Sequence, residues 1–525
     1  MLARFRPDDA PVYDQRAMPD AIARIRETMH VTREPNGGRV GVAFTGQIGD
    51  GEHAWLGTLP PLYPEWLGDR TFGETHGTRF PYIAGAMANG IGTTAIVIAM
   101  ARAGALGFYG AAGLPVARVA KAVEEVQAAV PELPYGFNLI HSPQEPHAEA
   151  AVVELYVKRG VRRASAAAFM ALTAPLVRYS ATGLRRLPDG RIERRNHVFA
   201  KISRPEVAAR FMHPAPAAIL DGLVRDGLLT VEEATLARTL PVAEDITVES
   251  DSGGHTDNRP LGSLFPVIAM LRDQIVAEHG YTRPIRVGAA GGLGTPNSLA
   301  AAFGLGAAYV LVGSVNQSCV ESGIAAIGKE MLTKADIADV AMAPAADMFE
   351  MGVEVQVLKR GTLFASRGHK LRDLYQSCSG LDDIPAHERA KLEKDIFQAP
   401  LNEVWASTEA FFADRDPKQL VKAASDPKHR MALVFRWYLG KSSRWAIDGD
   451  PKRVMDFQLW CGPAMGAFNN WVKGSFLEPA ANRTVAQVAL NLLEGAAVVT
   501  RAHQLRSYGV AVPESAFQFR PRPLA

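Results

Sequence analysis

Ile285–Ser314 reads I-R-V-G-A-A-G-G-L-G-T-P-N-S-L-A-A-A-F-G-L-G-A-A-Y-V-L-V-G-S. A short apolar run, Ile285 to Ala289, opens into glycines and then a small-residue helix. A second apolar run, Tyr309 to Val312, ends on Gly313-Ser314. That order is a strand, a turn, a helix and a second, parallel strand. Upstream the same rhythm predicts strands at Tyr82–Met87, Ala105–Tyr109, Tyr135–Leu139, Val161–Ala166, His197–Ile202 and Ile246–Ser250. With the two already quoted these make eight units, the number a (β/α)₈ TIM barrel requires, and a doubly wound open sheet is the rival. Gly, Ala, Asn and Ser cluster just after many of the strands, where barrel enzymes place the loops that approach a ligand, and this favours the barrel.

Residues 1–77 lack the rhythm and read as an N-terminal cap, with a hairpin around Asn36-Gly37-Gly38. The barrel is expected over 78–378. From 379 to 525 the spacing becomes helical and carries five of the seven tryptophans, Trp405, Trp437, Trp445, Trp460 and Trp471. This last region is expected to be mostly helical and to act as a lid or a docking surface for a carrier protein.

Across 525 residues, 57 Lys+Arg against 55 Asp+Glu leave a formal charge of +2, which gives no electrostatic case for nucleic acid or a membrane surface as the main partner. The excess is local: Lys418, Lys422, Lys428, Arg430, Arg436, Lys441, Arg444, Lys452 and Arg453 face only Asp426, Asp448 and Asp450 in that stretch. It reads either as a basic surface for an acidic partner or as a solvated helix face whose Arg436 and Arg444 brace the tryptophans. Cys319, Cys378 and Cys461 lie far apart, so no disulfide framework and no metal site is expected. The opening MLARFRPDDAPVYDQ has no apolar core, and the most apolar segment, Ile91 to Ala101, is too short to span a membrane. A cytoplasmic protein is the expectation, and an assembly of identical chains is compatible with it.

Three motifs bear on chemistry. Gly90-Ile91-Gly92-Thr93-Thr94-Ala95 fits a dinucleotide loop, but no acid follows between Glu74 and Glu124 to hold the ribose hydroxyls, so it reads as close helix–strand packing. Gly291-Gly292 and Gly313-Ser314, at the ends of the last two strands, offer backbone amides where barrels commonly bind phosphate. Glu249-Ser250-Asp251-Ser252-Gly253-Gly254-His255-Thr256-Asp257-Asn258-Arg259-Pro260, at the end of strand six, lets main chain lie against a flat ligand while His255 supplies a proton donor or acceptor. Asn138 and Lys201 fall at the mouth as well. The amide suits the edge of a heterocycle, and the lysine suits either charge on a reduced ring or a plain surface position.

P-Y-I-A-G-A-M-A-N-G-I (Pro81–Ile91), G-F-N-L-I (Gly136–Ile140), D-S-G-G-H-T-D-N-R-P (Asp251–Pro260) and V-G-A-A-G-G-L-G-T-P (Val287–Pro296) together resemble the nitronate monooxygenase-like flavin barrels. A-P-A-A-D-M-F-E-M-G-V (Ala343–Val353), R-W-Y-L-G-K-S-S-R-W-A (Arg436–Ala446) and W-C-G-P-A-M-G-A-F-N-N-W (Trp460–Trp471) narrow the resemblance to PfaD-type trans-acting enoyl reductases of polyunsaturated fatty acid and polyketide synthases. The resemblance implies FMN with its ring against Ala86 and Met87, Asn138 bonded to the ring, Gly253 and Gly254 beneath it, and phosphate on Gly291, Gly292, Gly313 and Ser314. His255 matches the family's catalytic base. Those relatives usually carry Gln or Glu where this chain has Val248, so one flavin contact of the superfamily is expected to be missing.

The implied reaction is reduction of FMN by NADPH (or NADH), then hydride transfer to the β-carbon of an enoyl thioester on an acyl carrier protein within a synthase. A proton is needed at the α-carbon, from His255 or from a water. The rivals are an oxygen-using nitronate monooxygenase and a non-catalytic scaffold of a synthase complex.

Overall fold

A computed structural model describes residues 3–141 and 146–524. Eight parallel strands form at Tyr82–Ala84, Leu106–Tyr109, Gly136–Ile140, Arg163–Ala167, His197–Ile202, Asp245–Glu249, Arg286–Ala290 and Val310–Val312. They close in chain order, the eighth pairing with the first through Val310↔Tyr82 and Val312↔Ala84. The chain is therefore a (β/α)₈ barrel, and the open-sheet rival is excluded.

Side chains of alternate residues sort to the two faces of each strand. Phe108, Phe199, Tyr309 and Leu311 fill the lumen, while Val198, Val248 and Val310 pack outward against the helices. Glycine is required in the lumen at Gly136 and Gly288, where a Cβ would overlap the rings of Phe108 and Tyr309. The Gly90–Ala95 stretch is a packing device, as the missing acid implied. Thr93 caps helix Thr94–Arg102 by accepting from Ile96 N at 3.1 Å, and a Cβ on Gly92 would stand 3.0 Å from Met87 N.

The floor of the barrel is charged and buried. Helix Arg70–His76, inside the segment expected to be a cap, enters the amino-terminal end of the barrel with Phe72 stacked on Tyr309 at 4.8 Å. His76 Nε2 lies 3.0 Å from Asp245 Oδ2, and Arg286 donates to both oxygens of Asp245 at 2.7 and 2.8 Å. His197 stands edge-on to His76 at 5.0 Å. Arg163, His197, Asp245 and Arg286 are each the first residue of a strand, so this cluster marks the end opposite the expected site. His76, His197 and Asp245 have ligand-like spacing, but the Arg286 guanidinium occupies the position a cation would need.

Burial drives the His197 imidazole down to about 3, aided by the neighbouring His76, which burial also lowers. Both rings are charged more readily in the unfolded chain, near 6.5. Stability is thus full above about pH 6.5 and declines as pH falls toward 3, by about 1.4 kcal/mol per pH unit for His197 alone. Urea midpoints measured between pH 7 and 4 should show that slope, and His197→Phe should flatten it. An unchanged slope in the variant would remove His197 as the cause.

Before the barrel, a five-stranded antiparallel sheet runs in the order Val40–Ala43, Met29–Arg33, His53–Leu59, Arg4–Pro7, Gly46–Gly49. The first pair is the hairpin expected around Asn36-Gly37-Gly38. After the barrel, strands Val340–Pro344 and Glu354–Leu358 pair as an antiparallel hairpin, which the sequence pattern did not reveal. Together with helices Phe364–Ser377, Leu401–Arg415 and Pro427–Asp448 it builds a second core around Phe349, Phe364, Phe397, Phe435 and Tyr438. From Phe457 onward the chain rejoins the main core, chiefly through helix Val485–Ser507.

The basic stretch is largely consumed by this helical layer. Lys428 donates to the carbonyls of Tyr375 and Cys378, closing the end of helix Phe364–Ser377. Arg436 pairs with Glu350 at 3.3 Å, Arg444 with Asp448 at 2.8 Å, and buried Arg453 with Asp456 at 3.0 Å. In this layer Arg430 lies on the face of Trp405 and Arg453 on that of Trp445, two contacts beyond the expected Arg436 and Arg444. Lys418, Lys422, Lys441 and Lys452 stay exposed on this layer.

Candidate active site

At the carboxyl ends of the strands the expected residues converge. Lys201 follows Phe199 on the lumen face of strand five, and Glu249 follows Thr247, whose hydroxyl bonds the Tyr309 hydroxyl in the lumen at 2.8 Å. Lys201 Nζ meets Glu249 Oε1 at 2.8 Å, with both side chains mostly buried. Lys201 is therefore no surface cation, and its charge is matched inside the mouth. Val248 points outward and is wholly buried against helices. The carboxylate at this rim is Glu249, one position beyond the residue compared at the sequence level. Asn138, 6% exposed, shares the lumen face of strand three and donates from Nδ2 to Ser165 O at 3.1 Å, which fixes its amide.

The loops after strands six, seven and eight interlock. A Cβ on Gly253 would stand 2.6 Å from the Ser314 hydroxyl and 2.8 Å from Cys461 N, and a Cβ on Gly291 2.5 Å from the Ser250 hydroxyl. Gly291 (φ 86°) and Gly292 (φ 68°) are left-handed, a conformation glycine adopts without penalty. Around Gly292 and Gly313, by contrast, nothing among the described residues lies within 4 Å of where a Cβ would be. Bare main chain thus borders open space at two adjacent strand ends, next to the turn Ser314–Ser318. That cradle fits an anionic group such as a phosphate. Ala86 and Met87 lie on the loop after strand one, Ala86 against the lumen cluster and Met87 with its carbonyl accepting from Gly92 N at 3.0 Å.

The loop bearing His255 is fastened to the hairpin three times. Gly254–His255 forms a short strand paired antiparallel with Gln356 and Val355. Gln356 Nε2 donates to Asp251 Oδ1 at 2.5 Å and to Ser252 O at 2.9 Å. His255 Nε2 lies 3.4 Å from Asp347 Oδ1 at the hairpin turn. Burial lifts the Asp251 carboxyl above its ordinary range, against the bond from Gln356. Partial desolvation raises the Asp347 carboxyl, but the facing His255, the local backbone and Arg436 together hold it below its ordinary range. The Cys461 thiol, buried beside Gly253, is pushed up to about 12 and stays neutral, so it is no nucleophile. Gln356 was not singled out from the sequence, and Glu249, Asp347 and Trp460 stood there as members of longer motifs with no role of their own; Trp460 packs its indole 3.8 Å from where a Gly254 Cβ would be.

Comparison with known proteins fits this architecture. The nitronate monooxygenase family model matches residues 71–366, which is the barrel and the hairpin. The model for the inserted helical domain of [acyl-carrier-protein] S-malonyltransferase matches 378–457, within the helical layer. A polyunsaturated fatty acid synthase subunit of Thraustochytrium sp. is 46% identical over 465 residues, covering 87% of this chain and 31% of that protein. Polyketide biosynthesis protein PksE of Bacillus subtilis is 40% identical over 445 residues, covering 85% of this chain and 58% of that one. The chain thus spans less than two thirds of the length of these relatives. Among solved structures, the enoyl reductase domain of MlnA from the macrolactin biosynthesis cluster of Bacillus amyloliquefaciens superposes with a TM-score of 0.80 at 38% identity, covering 84% of this chain and 98% of that domain. The chain belongs to the nitronate monooxygenase family, within its PfaD-type enoyl reductase branch.

Proposed function

We propose that the chain is an FMN-dependent enoyl reductase that saturates the 2,3 double bond of enoyl thioesters carried on an acyl carrier protein, with NADPH as electron donor. The observation that carries this reading is the meeting of an open glycine cradle at Gly292 and Gly313 with His255 on the adjoining loop, at one end of the barrel. Bound FMN supplies the hydride chemistry that side chains lack, accepting from NADPH and donating to a β-carbon. Gly291, Gly292, Gly313 and Ser314 hold its phosphate, and Asn138 with Ala86 and Met87 borders its ring. Lys201, already paired with Glu249, orients groups at the ring edge rather than adding net charge. His255 carries the proton that the α-carbon needs. The test is anaerobic: photoreduced, FMN-loaded protein should be reoxidised by an enoyl-carrier thioester. Failure of the thioester to reoxidise the flavin, together with reduction of oxidised FMN by a nitronate and its reoxidation by oxygen, would replace this reading with the monooxygenase one.

The partner is an acyl carrier protein, acidic as such carriers generally are. With Lys428, Arg436 and Arg453 engaged inside the fold and Arg444 paired with Asp448 at the surface, Lys418, Lys422 and Lys441 are three of the exposed cations left to meet it. Replacing these three with Glu should raise the KM for carrier-bound substrate about ten-fold at low salt and leave a small thioester mimic unaffected. An equal loss on both substrates would place the carrier elsewhere.

A further inference from the structure

A carboxylate outside the barrel reaches the proton donor. Asp347 sits in the turn of the hairpin Val340–Leu358, and its Oδ1 stands 3.4 Å from His255 Nε2. The backbone of His255 is paired with Val355 of the same hairpin. The turn has its own supports: Glu350 pairs with Arg436 of helix Pro427–Asp448, and Glu354 with Arg372 of helix Phe364–Ser377 at 3.0 Å. Phe349, 1% exposed, anchors the turn in the second core. The carboxylate is thus presented to the imidazole from a braced element, while the imidazole itself is 44% exposed and free to turn without that contact.

We propose that Asp347 is a positioning residue that fixes the His255 ring by holding Nε2–H, so that Nδ1 carries the proton delivered to substrate. This rests on the enoyl reductase reading. In that step the Nδ1–H bond breaks as the α-carbon–H bond forms. The hydride arriving at the β-carbon completes the saturated thioester, and the neutral imidazole regains its proton from solvent. With the ring tethered at one nitrogen, rotation about its χ angles no longer carries the other out of line.

The test is a double-mutant cycle on the full, FMN-loaded chain, read by single-turnover kinetics in each half-reaction. Asp347→Ala and Asp347→Asn should each slow enoyl reduction, Asp347→Ala by about ten-fold, and leave flavin reduction by NADPH and the KM for the thioester unchanged. In a His255→Gln background the same replacements should cost nothing further, because there is no ring left to position. The solvent deuterium effect on enoyl reduction should rise in Asp347→Asn. Equal losses with and without His255, or equal losses in both half-reactions, would make Asp347 a structural residue and overturn the inference. A wild-type protein that never reduces the thioester would instead overturn the reading beneath it.

Discussion

His255→Gln is expected to leave flavin reduction by NADPH at its wild-type rate and to slow reduction of the enoyl thioester by about 10² to 10⁴-fold, the usual cost of losing a general acid. The asymmetry follows from the chemistry. Flavin reduction moves a hydride between two cofactors and draws no proton from His255, whereas saturating the double bond requires one at the α-carbon. The structure allows the substitution. His255 is on the exposed rim, held by strand pairing through its backbone and by Asp347 through its ring, so an amide of similar size keeps the loop in place. Stopped-flow spectroscopy of the flavin separates the two steps. Equal slowing of both would reduce His255 to a support of the flavin site, with a water as the donor.

Gly313→Leu should weaken FMN binding about 10² to 10³-fold without unfolding the barrel. Gly313 has φ −111°, outside the left-handed region, and nothing among the described residues stands within 4 Å of its missing Cβ. A side chain there starts in open space and fills the cradle. Hydrogen bonds from amides to a charged group are worth about 1.5–3 kcal/mol each, so displacing the phosphate from one or two gives the stated range. Gly253→Ala would be a poorer probe, since its Cβ would press on Ser314 and Cys461 and disturb packing as well. Fluorescence titration of apoprotein with FMN measures the effect, with the melting temperature as control. Tight FMN binding by a stable Gly313→Leu protein would move the phosphate away from this cradle.

The barrel was legible because each of its strands is a local signal: a short apolar run followed within a few residues by small or glycine residues. The glycine ends at Gly291-Gly292 and Gly313 were legible for the same reason. What escaped the sequence is carried by distant partners. Gln356 reaches Asp251 across 105 positions, and Trp460 lies on Gly254 across a still longer stretch, so no periodicity links them. The hairpin Val340–Leu358 was hidden by A-P-A-A-D-M-F-E-M-G, which ties two strands with a longer turn than any local hairpin rule names. Val248 against Glu249 turned on strand parity, because a one-residue shift exchanges the lumen for the helix layer. The basic run between Lys418 and Arg453 is plain in the sequence, but a count of charges cannot tell that Lys428 and Arg453 satisfy backbone carbonyls inside the fold.

Whether this chain saturates a carrier-bound enoyl group is tested most directly on the carrier itself. Purified protein loaded with FMN is incubated with NADPH and an enoyl-acyl carrier protein, and the acyl group is weighed by mass spectrometry of the intact carrier. The expected result is a gain of two hydrogens that requires FMN and is lost in His255→Gln at matched times. Oxidation of NADPH with no change in the mass of the acyl group would contradict it.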